Sequence, residues 1–391
     1  MAAFKTFALY FLYMAHAQQK NPEDMTQSIQ AQRIDGQDIL PPTIFYTSIC
    51  TNYLGKALAL ATSIKKSYPN SFYVIGLVER ELPREFNISN HAEVDVVVLA
   101  HELMENGQFD AWVFRYSIVE AATAIKAALL RHLYLRYPST DYFFYLDPDT
   151  YVYSPFHELH ELLEKSPIVV TPHLETPGNL EMELSALRHG VFNLGFLAVR
   201  RHPETIRFID WWAARLDYAC YDDIPNGIFT DQKWINLLPC FFNTEVLREP
   251  GYNFATWSLM DRKLSRDASG TYLVNDKPLR FAHFSGFDSN MFHRCIGRWA
   301  KDNSVLLEAF AGEYAAACKA HQENIFKPIA WSYRNFLSGK GVWRNARIVW
   351  RECYGSDLRN PFLLSNIRIL FSVFRRNRLK SLIRKWIQRH V

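Results

Sequence analysis

Close cysteine pairs are missing from this sequence. Its six cysteines (Cys50, Cys220, Cys240, Cys295, Cys318 and Cys353) are scattered over 391 residues. That spacing excludes a zinc-finger set or a disulfide framework and favours a reducing compartment. No segment beyond the N-terminus approaches the roughly 20 apolar residues that cross a bilayer. The first residues, "MAAFKTFALYFLYMAHAQQ", have one lysine, a short apolar run and an Ala-His-Ala ending. This is loosely like a signal peptide, but the basic start is weak, so a poorly ordered or interfacial leader is expected. Internal repeats and low-complexity tracts are absent, which excludes solenoids and a disordered scaffold. No nucleic-acid-binding motif is present either, and nucleic acid is not expected as a partner.

What is present supports a large core: 49% of residues are hydrophobic and 15% aromatic. The length points to one large domain with an appendage. The formal net charge of +4 conceals an asymmetry. Residues 341–391 hold twelve Lys/Arg against Glu352 and Asp357, so the first 340 residues sum to −6. Near the end, Leu379, Leu382, Ile383, Trp386 and Ile387 recur at helical spacing. Arg376, Arg378, Lys380, Arg384, Lys385 and Arg389 crowd the other faces. A basic amphipathic helix is expected there, suited to peripheral membrane contact through 363–391.

The pattern divides into a leader and linker (1–40), an α/β catalytic domain (41–300) and a helical C-terminal region (301–391). Strands are expected at 44–48, 71–78, 94–99, 142–146, 167–171 and 191–200, with shorter ones near 245–248, 271–274 and 279–287. Helices are expected at 54–67, in one long run from 111 to 137, at 156–164 and from Pro203, a first-turn residue. Residues 172–190 read as a long loop, a usual place for acceptor binding or a lid. "TDQKW" opens a short helix. In such a largely parallel sheet, ligands bind beyond the carboxyl ends of the strands.

The stretch "YFFYLDPDTYVYSPF" ends a buried strand in Asp147 and Asp149. Carboxylates at i and i+2 face one side at a strand end. They suit a divalent cation that neutralises a leaving diphosphate. "LDPDTY" also fits a haloacid dehalogenase-type phosphatase with Asp147 as nucleophile and Asp149 as acid/base. Such a motif normally closes the first strand of its domain, whereas here about a hundred residues of α/β pattern come first.

Several stretches in order resemble GT-A-fold glycosyltransferases, above all the retaining family of glycogenin and bacterial lipopolysaccharide galactosyltransferases. They are "TSICTNYLGKALALATSIKKSYP", "FRYSIVEAATAIKAALL", "YLDPDTYVY", "FNLGFLAVR", "TDQKW" and "AHFSGF". The resemblance implies a Rossmann-like mixed α/β sheet flanked by helices. It implies that Asp147, Asp149 and His283 hold Mn²⁺ or Mg²⁺, with a histidine ligand suiting Mn²⁺ better. It assigns Thr47, Ser48, Asn52, Tyr53, Lys126, Asp147 and Gly195 to the nucleotide-sugar donor. Asn193, Asp231 and Gln232 fall beside the donor sugar and the reacting carbon. Ser48 and Cys50 stand where that family often has an aspartate for the base. Taken without the resemblance, His283 reads as a packed strand-end residue, Lys126 as a solvated lysine and Asp231 as a helix N-cap. His173, Glu175, Asn253 and Trp257 are candidates for the acceptor side.

The expected activity is metal-dependent transfer of a sugar, UDP-linked and with retention, to a saccharide or lipid-linked saccharide of a bacterial surface glycan. The cytoplasm, at the inner face of the cytoplasmic membrane, is the expected location. The phosphatase and a catalytically inactive saccharide-binding relative are the alternatives.

Overall fold

The computed structural model describes residues 43–104, 108–177, 179–354 and 360–371. The leader and linker assigned to 1–40 and the basic helix assigned to 379–391 lie outside them. Strand β1 (Thr43–Ile49) is rich in β-branched and aromatic residues and buried on both faces, as the inner strand of a covered sheet must be. Helix α1 (Leu54–Ser67) follows, then β2 (Phe72–Leu77) and β3 (Val96–Leu99).

Where one helix was expected over 111–137 there are three: α2 (Phe109–Val113), α3 (Ile118–Ala124) and α4 (Lys126–Arg136). The break comes from Ser117, whose extended backbone starts α3 with a reciprocal cap. Its hydroxyl accepts from Glu120 N while Glu120 Oε2 accepts from Ser117 N at 2.7 Å. A Ser-x-x-Glu capping box starts a helix, and this one lay inside the apolar period.

Next come β4 (Tyr142–Leu146), β5 (Thr150–Val152), α5 (His157–Lys165) and β6 (Ile168–Pro172). The expected loop at 172–190 contains a helix, α6 (Leu180–His189), capped by the Asn179 side chain on Met182 N at 3.0 Å. Then follow β7 (Phe192–Arg200) and α7 (Pro203–Ala219), with β8 (Thr244–Val246), β9 (Phe254–Ala255) and β10 (Phe281–His283). Helices α8 (Met291–Trp299), α9 (Ser304–Ala320) and α10 (Arg344–Tyr354) dominate the C-terminal region. Between α9 and α10 the chain is mostly irregular, although the sequence reads helical throughout.

The main sheet runs β8-β6-β7-β4-β1-β2-β3. All neighbours are parallel except β7, which lies antiparallel between β4 and β6. Its one face packs on α1 and α5, the other on α3, α4 and α7. A small sheet, β9-β10-β5, crosses the edge where β4 ends. No disulfide joins Cys50, Cys220, Cys240, Cys295 and Cys318. No helix among the described residues is long and apolar enough to cross a membrane.

Candidate active site

Two registers bring the site together. β10 pairs with β5 so that His283 lies opposite Thr150, the residue after Asp149. Phe284 N also donates to Asp149 O at 2.8 Å. A histidine some 130 residues downstream thus meets the aspartates at the carboxyl end of β4. His283 Nε2 stands 3.2 Å from Asp149 Oδ1 and 3.9 Å from Asp147 Oδ2. Ligand atoms of Asp147, Asp149 and His283 all lie within 4.8 Å of one another.

The second register is irregular. Between β6 and β7 the pairing jumps from Val170↔Leu197 to Thr171↔Asn193, so residues 194–196 bulge out of that ladder. A bulge leaves backbone groups unpaired, and here side chains satisfy them. Gln232 Oε1 accepts from Leu194 N at 3.0 Å, and Lys126 Nζ donates to Leu194 O at 3.0 Å. Gly195 O accepts from Asp147 N at 2.8 Å.

Gly195 is compelled by space. A Cβ there would lie 2.3 Å from His283 Cε1 and 2.8 Å from Asn193 Oδ1. The expected close approach is therefore made by the His283 ring. Gly195→Ala should displace His283 and cost about 1–3 kcal/mol by overpacking. Thermal melting with and without Mn²⁺ checks this: the variant is expected to lose the metal-dependent rise in Tm.

Asn193 fixes the ring. Its Oδ1 accepts from Gly195 N (3.1 Å) and Asn253 Nδ2 (3.1 Å) and faces His283 Nδ1 at 3.2 Å. An amide oxygen can only accept, so Nδ1 carries a proton, and Nε2 is the ring nitrogen turned to the carboxylates. This is the outer-shell arrangement common to metal-binding histidines. Asn193 Nδ2 in turn donates to His173 Nε2 at 3.1 Å, while His173 Nδ1 donates to Gly190 O at 2.8 Å.

Burial pushes His173 down from the ordinary 6.5 to about 4. Between those values the unfolded chain binds more protons than the folded one. Stability is therefore expected to fall as pH drops from about 6.5 to about 4, by up to about 3 kcal/mol. His173→Gln should flatten that part of a pH series of urea midpoints.

Lys126 is buried at the other flank. Its Nζ lies 3.1 Å from Asp147 Oδ1 and 2.9 Å from Asp231 Oδ2, over the Tyr145 ring at 4.3 Å. Burial opposes its charge, but Asp147 and Asp231 raise its pKa well above the usual lysine value. For Asp231 burial prevails, and its pKa is raised despite Lys126. Burial likewise disfavours ionised Asp149 and charged His283. Their mutual attraction outweighs it, holding Asp149 low and His283 high. Thr230, beside Asp231, has φ 44° and Asn253 has φ 51°, conformations that non-glycine residues adopt at a cost.

A cavity of about 870 Å³ opens on these groups. Lys126, Asp147, Asp149, Asn193, Gly195, Asp231, Gln232 and His283 all line it. His173 and Trp257 line it too, with the Trp257 ring edge-on to His173 (5.1 Å) and His283 (5.2 Å). Six sequence candidates lie apart from its walls. Thr47 is fully buried, on the β1 face that packs against α1. Ser48 reaches the site only through Tyr145, whose hydroxyl is 3.2 Å from Ser48 Oγ and donates to Asp147 Oδ1 at 2.6 Å. Tyr53 lies under Lys56 Nζ, 4.8 Å from the ring centre, and Asn52 lines a different cavity. Glu175 is engaged by Arg262 at 2.6 Å, and Asn253 serves Thr171 and Asn193.

Sequence reasoning missed Tyr145 and the cavity wall formed by Met182, Ser185, Ala186 and His189 of α6. Tyr145 stood within the apolar run 142–146, with nothing to show that its hydroxyl reached forward to Asp147. For α6 the signal was Asn179 followed by i, i+4, i+7 leucines.

No family model matches the chain. Two curated proteins of Bacillus subtilis (strain 168), the uncharacterized proteins YfnD and YfnF, are similar in sequence. YfnD is 24% identical over 171 residues, covering 43% of this chain and 54% of that protein. YfnF is 24% identical over 196 residues, covering 50% of this chain and 62% of that protein. The chain therefore spans between half and two thirds of the length of these relatives. Among solved structures, galactosyltransferase LgtC with donor and acceptor sugar analogues aligns over 71% of this chain and 95% of its own, at 15% identity and TM-score 0.38. A glycosyltransferase involved in glycosylating the major capsid of PBCV-1 aligns over 62% and 92%, at 13% identity and TM-score 0.35. Glycosyltransferase GlyE of Streptococcus pneumoniae TIGR4 aligns over 55% and 47%, at 16% identity and TM-score 0.34.

Proposed function

We propose that this chain is a metal-dependent glycosyltransferase of the GT-A type. It moves a sugar from a UDP-linked donor to a saccharide or lipid-linked saccharide in bacterial surface-glycan synthesis, at the inner face of the cytoplasmic membrane. The observation that carries this reading is the meeting of Asp147, Asp149 and His283 at the sheet edge, with Lys126 in contact with Asp147.

The donor set fits a divalent cation: two hard carboxylates and one imidazole whose outward nitrogen is already anchored by Asn193. The mixed nitrogen and oxygen set favours Mn²⁺ over Mg²⁺. When bound, the ion supplies charge neutralisation for the departing diphosphate. The protein's own groups supply the rest. Lys126 adds a fixed positive charge beside the cluster, where it stabilises the negative charge that develops as the bond to the diphosphate breaks. Gln232 and Asn193, tied to each other and to the β7 bulge, present a rigid polar wall to the donor sugar. Ser48, through the Tyr145 hydroxyl, and Tyr53 are assigned to the nucleotide side, and His173 and Trp257 to the acceptor side; the buried Thr47 and the outlying Asn52 are not.

Asp231 is clamped by Lys126 at 2.9 Å. The ammonium occupies the carboxylate oxygen that would otherwise take a proton from an acceptor hydroxyl, which favours retention, with the acceptor attacking on the face from which the diphosphate leaves. The phosphatase reading needs Asp147 as a free nucleophile. Its Oδ1 instead accepts from Tyr145 and lies 3.1 Å from Lys126.

A coupled assay for UDP separates the readings. UDP release from a UDP-sugar that requires Mn²⁺ and stops with EDTA is the expected result. Phosphate release from a phosphomonoester would replace this reading with the phosphatase. Metal-independent saccharide binding without turnover would replace it with the inactive relative.

A further inference from the structure

The described residues enclose a second cavity, of about 810 Å³, and most of one wall comes from residues 327–352. The sequence reading sets those residues outside the catalytic domain. Ser117, Glu120, Asp222 and Arg344 line this cavity and the first, so the two adjoin. Arginines and acids both line the second cavity, and most of them are engaged within the protein: Arg347 donates to Phe114 O, Tyr116 O and Tyr333 O, and Arg115 to Asp217 O. Glu120 accepts from Ser117 N at 2.7 Å and Asp222 N at 3.0 Å, and Asp223 from Asn226 Nδ2 at 3.0 and 2.9 Å. Arg351 stacks on Tyr221, its guanidinium 3.6 Å from the ring centre. Arg334 and Arg344 are exposed, and neither has a side-chain partner among the described residues. Two uncommitted guanidinium groups in a concave site are suited to a phosphate.

Beside Arg344 the surface turns apolar. Leu337, Trp343, Leu363 and Ile367 are 59%, 55%, 68% and 60% exposed. Two hydrogen bonds draw their segments together: Leu337 N to Phe362 O at 3.0 Å and Trp343 N to Asn366 Oδ1 at 2.9 Å. Exposed large apolar side chains gathered in this way mark an interaction surface. Lys340 and Arg368 are exposed on the same segments, and the sequence beyond Phe371 carries seven Lys/Arg and no acid.

We infer that the second cavity binds the phosphate or diphosphate of a lipid-linked acceptor, through Arg334 and Arg344. The apolar chain of that acceptor lies over Leu337, Trp343, Leu363 and Ile367, and its saccharide reaches the first cavity past Ser117. Charge complementarity selects the anion, and the adjoining patch selects a lipid rather than a free phosphate. The inference rests on the transferase reading only for what happens to the saccharide.

Titration calorimetry on the full chain tests it with three probes: monododecyl phosphate below its micelle concentration, inorganic diphosphate, and UDP with Mn²⁺. Dodecyl phosphate is expected to bind more tightly than inorganic diphosphate and to bind alongside UDP. The double variant Arg334→Gln, Arg344→Gln should weaken it by about tenfold or more, with an unchanged melting profile. Unaltered affinity in that variant overturns the proposal. So does equal affinity for inorganic diphosphate, which would make this an anion site without a lipid. Displacement of dodecyl phosphate by UDP would give the cavity to the nucleotide and overturn it as well. If the wild type binds dodecyl phosphate through these arginines but ignores UDP with Mn²⁺, this inference stands and the transferase reading falls.

Discussion

Replacing Asp149 by alanine is expected to abolish Mn²⁺-dependent UDP release, a fall of about 10²-fold or more. Asp149 shares His283 with Asp147 at 3.2 and 3.9 Å, so its loss removes one of three donors and the carboxylate closest to the ring. The backbone bond from Phe284 N to Asp149 O does not depend on the side chain, so the strand end should hold its shape. Circular dichroism should then show a folded protein without metal-dependent stabilisation, since only a bound ligand shifts the folding equilibrium. Asp149→Asn keeps the volume and one oxygen donor and should retain more affinity for Mn²⁺ than the alanine variant. Activity near the wild-type level in Asp149→Ala would remove the metal site from the account.

The largest loss of stability is expected from Lys126→Met. Lys126 is 2% exposed and sits between Asp147 and Asp231, the latter also 2% exposed. Methionine fills a similar volume but leaves the Asp231 carboxylate buried beside no cation, and the Leu194 carbonyl without its donor. Breaking a buried pair from one side costs about 3–5 kcal/mol. The second change, Asp231→Asn, should recover much of that in the same chain, because the stranded charge is then gone. Urea midpoints for the two single variants and the double variant give the coupling directly. A loss below about 1 kcal/mol for Lys126→Met would mean a solvated pair, and Lys126 would then be a surface residue that happens to lie near the aspartates.

Much of the fold was legible because local signals and burial agree. The 54–67 helix and the 142–146 strand have the bounds that their apolar runs imply. Disagreement arose where a short polar signal overrode a long apolar one. Ser117 with Glu120 breaks the 111–137 run, and Asn179 starts α6 within a stretch whose Pro, Gly and Asn suggested a loop. Leu180, Leu184 and Leu187 of that helix are exposed, so burial does not explain them.

Spacing along the chain could place Asp147 and Asp149 together but could not show that His283 would lie opposite Thr150. That depends on a cross-strand register between segments far apart in sequence. Nor could composition show that residues 327–352 wall a cavity. Their arginines blend into a tail whose overall basic charge already had an explanation. Lys126 shows the same limit: an isolated cation in an apolar helix is read as solvated until its acidic partners, about 20 and 105 residues away, are brought to it.

The bulge at residues 194–196 also has a bearing on the order in which the molecule assembles. Neither Leu194 N nor Leu194 O is closed by a neighbouring strand; each awaits a side chain, Gln232 from a later loop and Lys126 from α4. β7 can therefore pair along β4 early, yet this short arc of backbone stays open to solvent until α4 and the 230–232 turn have both docked. The Leu194 amide should exchange its hydrogen with the late, sub-global opening of those two elements rather than with the sheet around it.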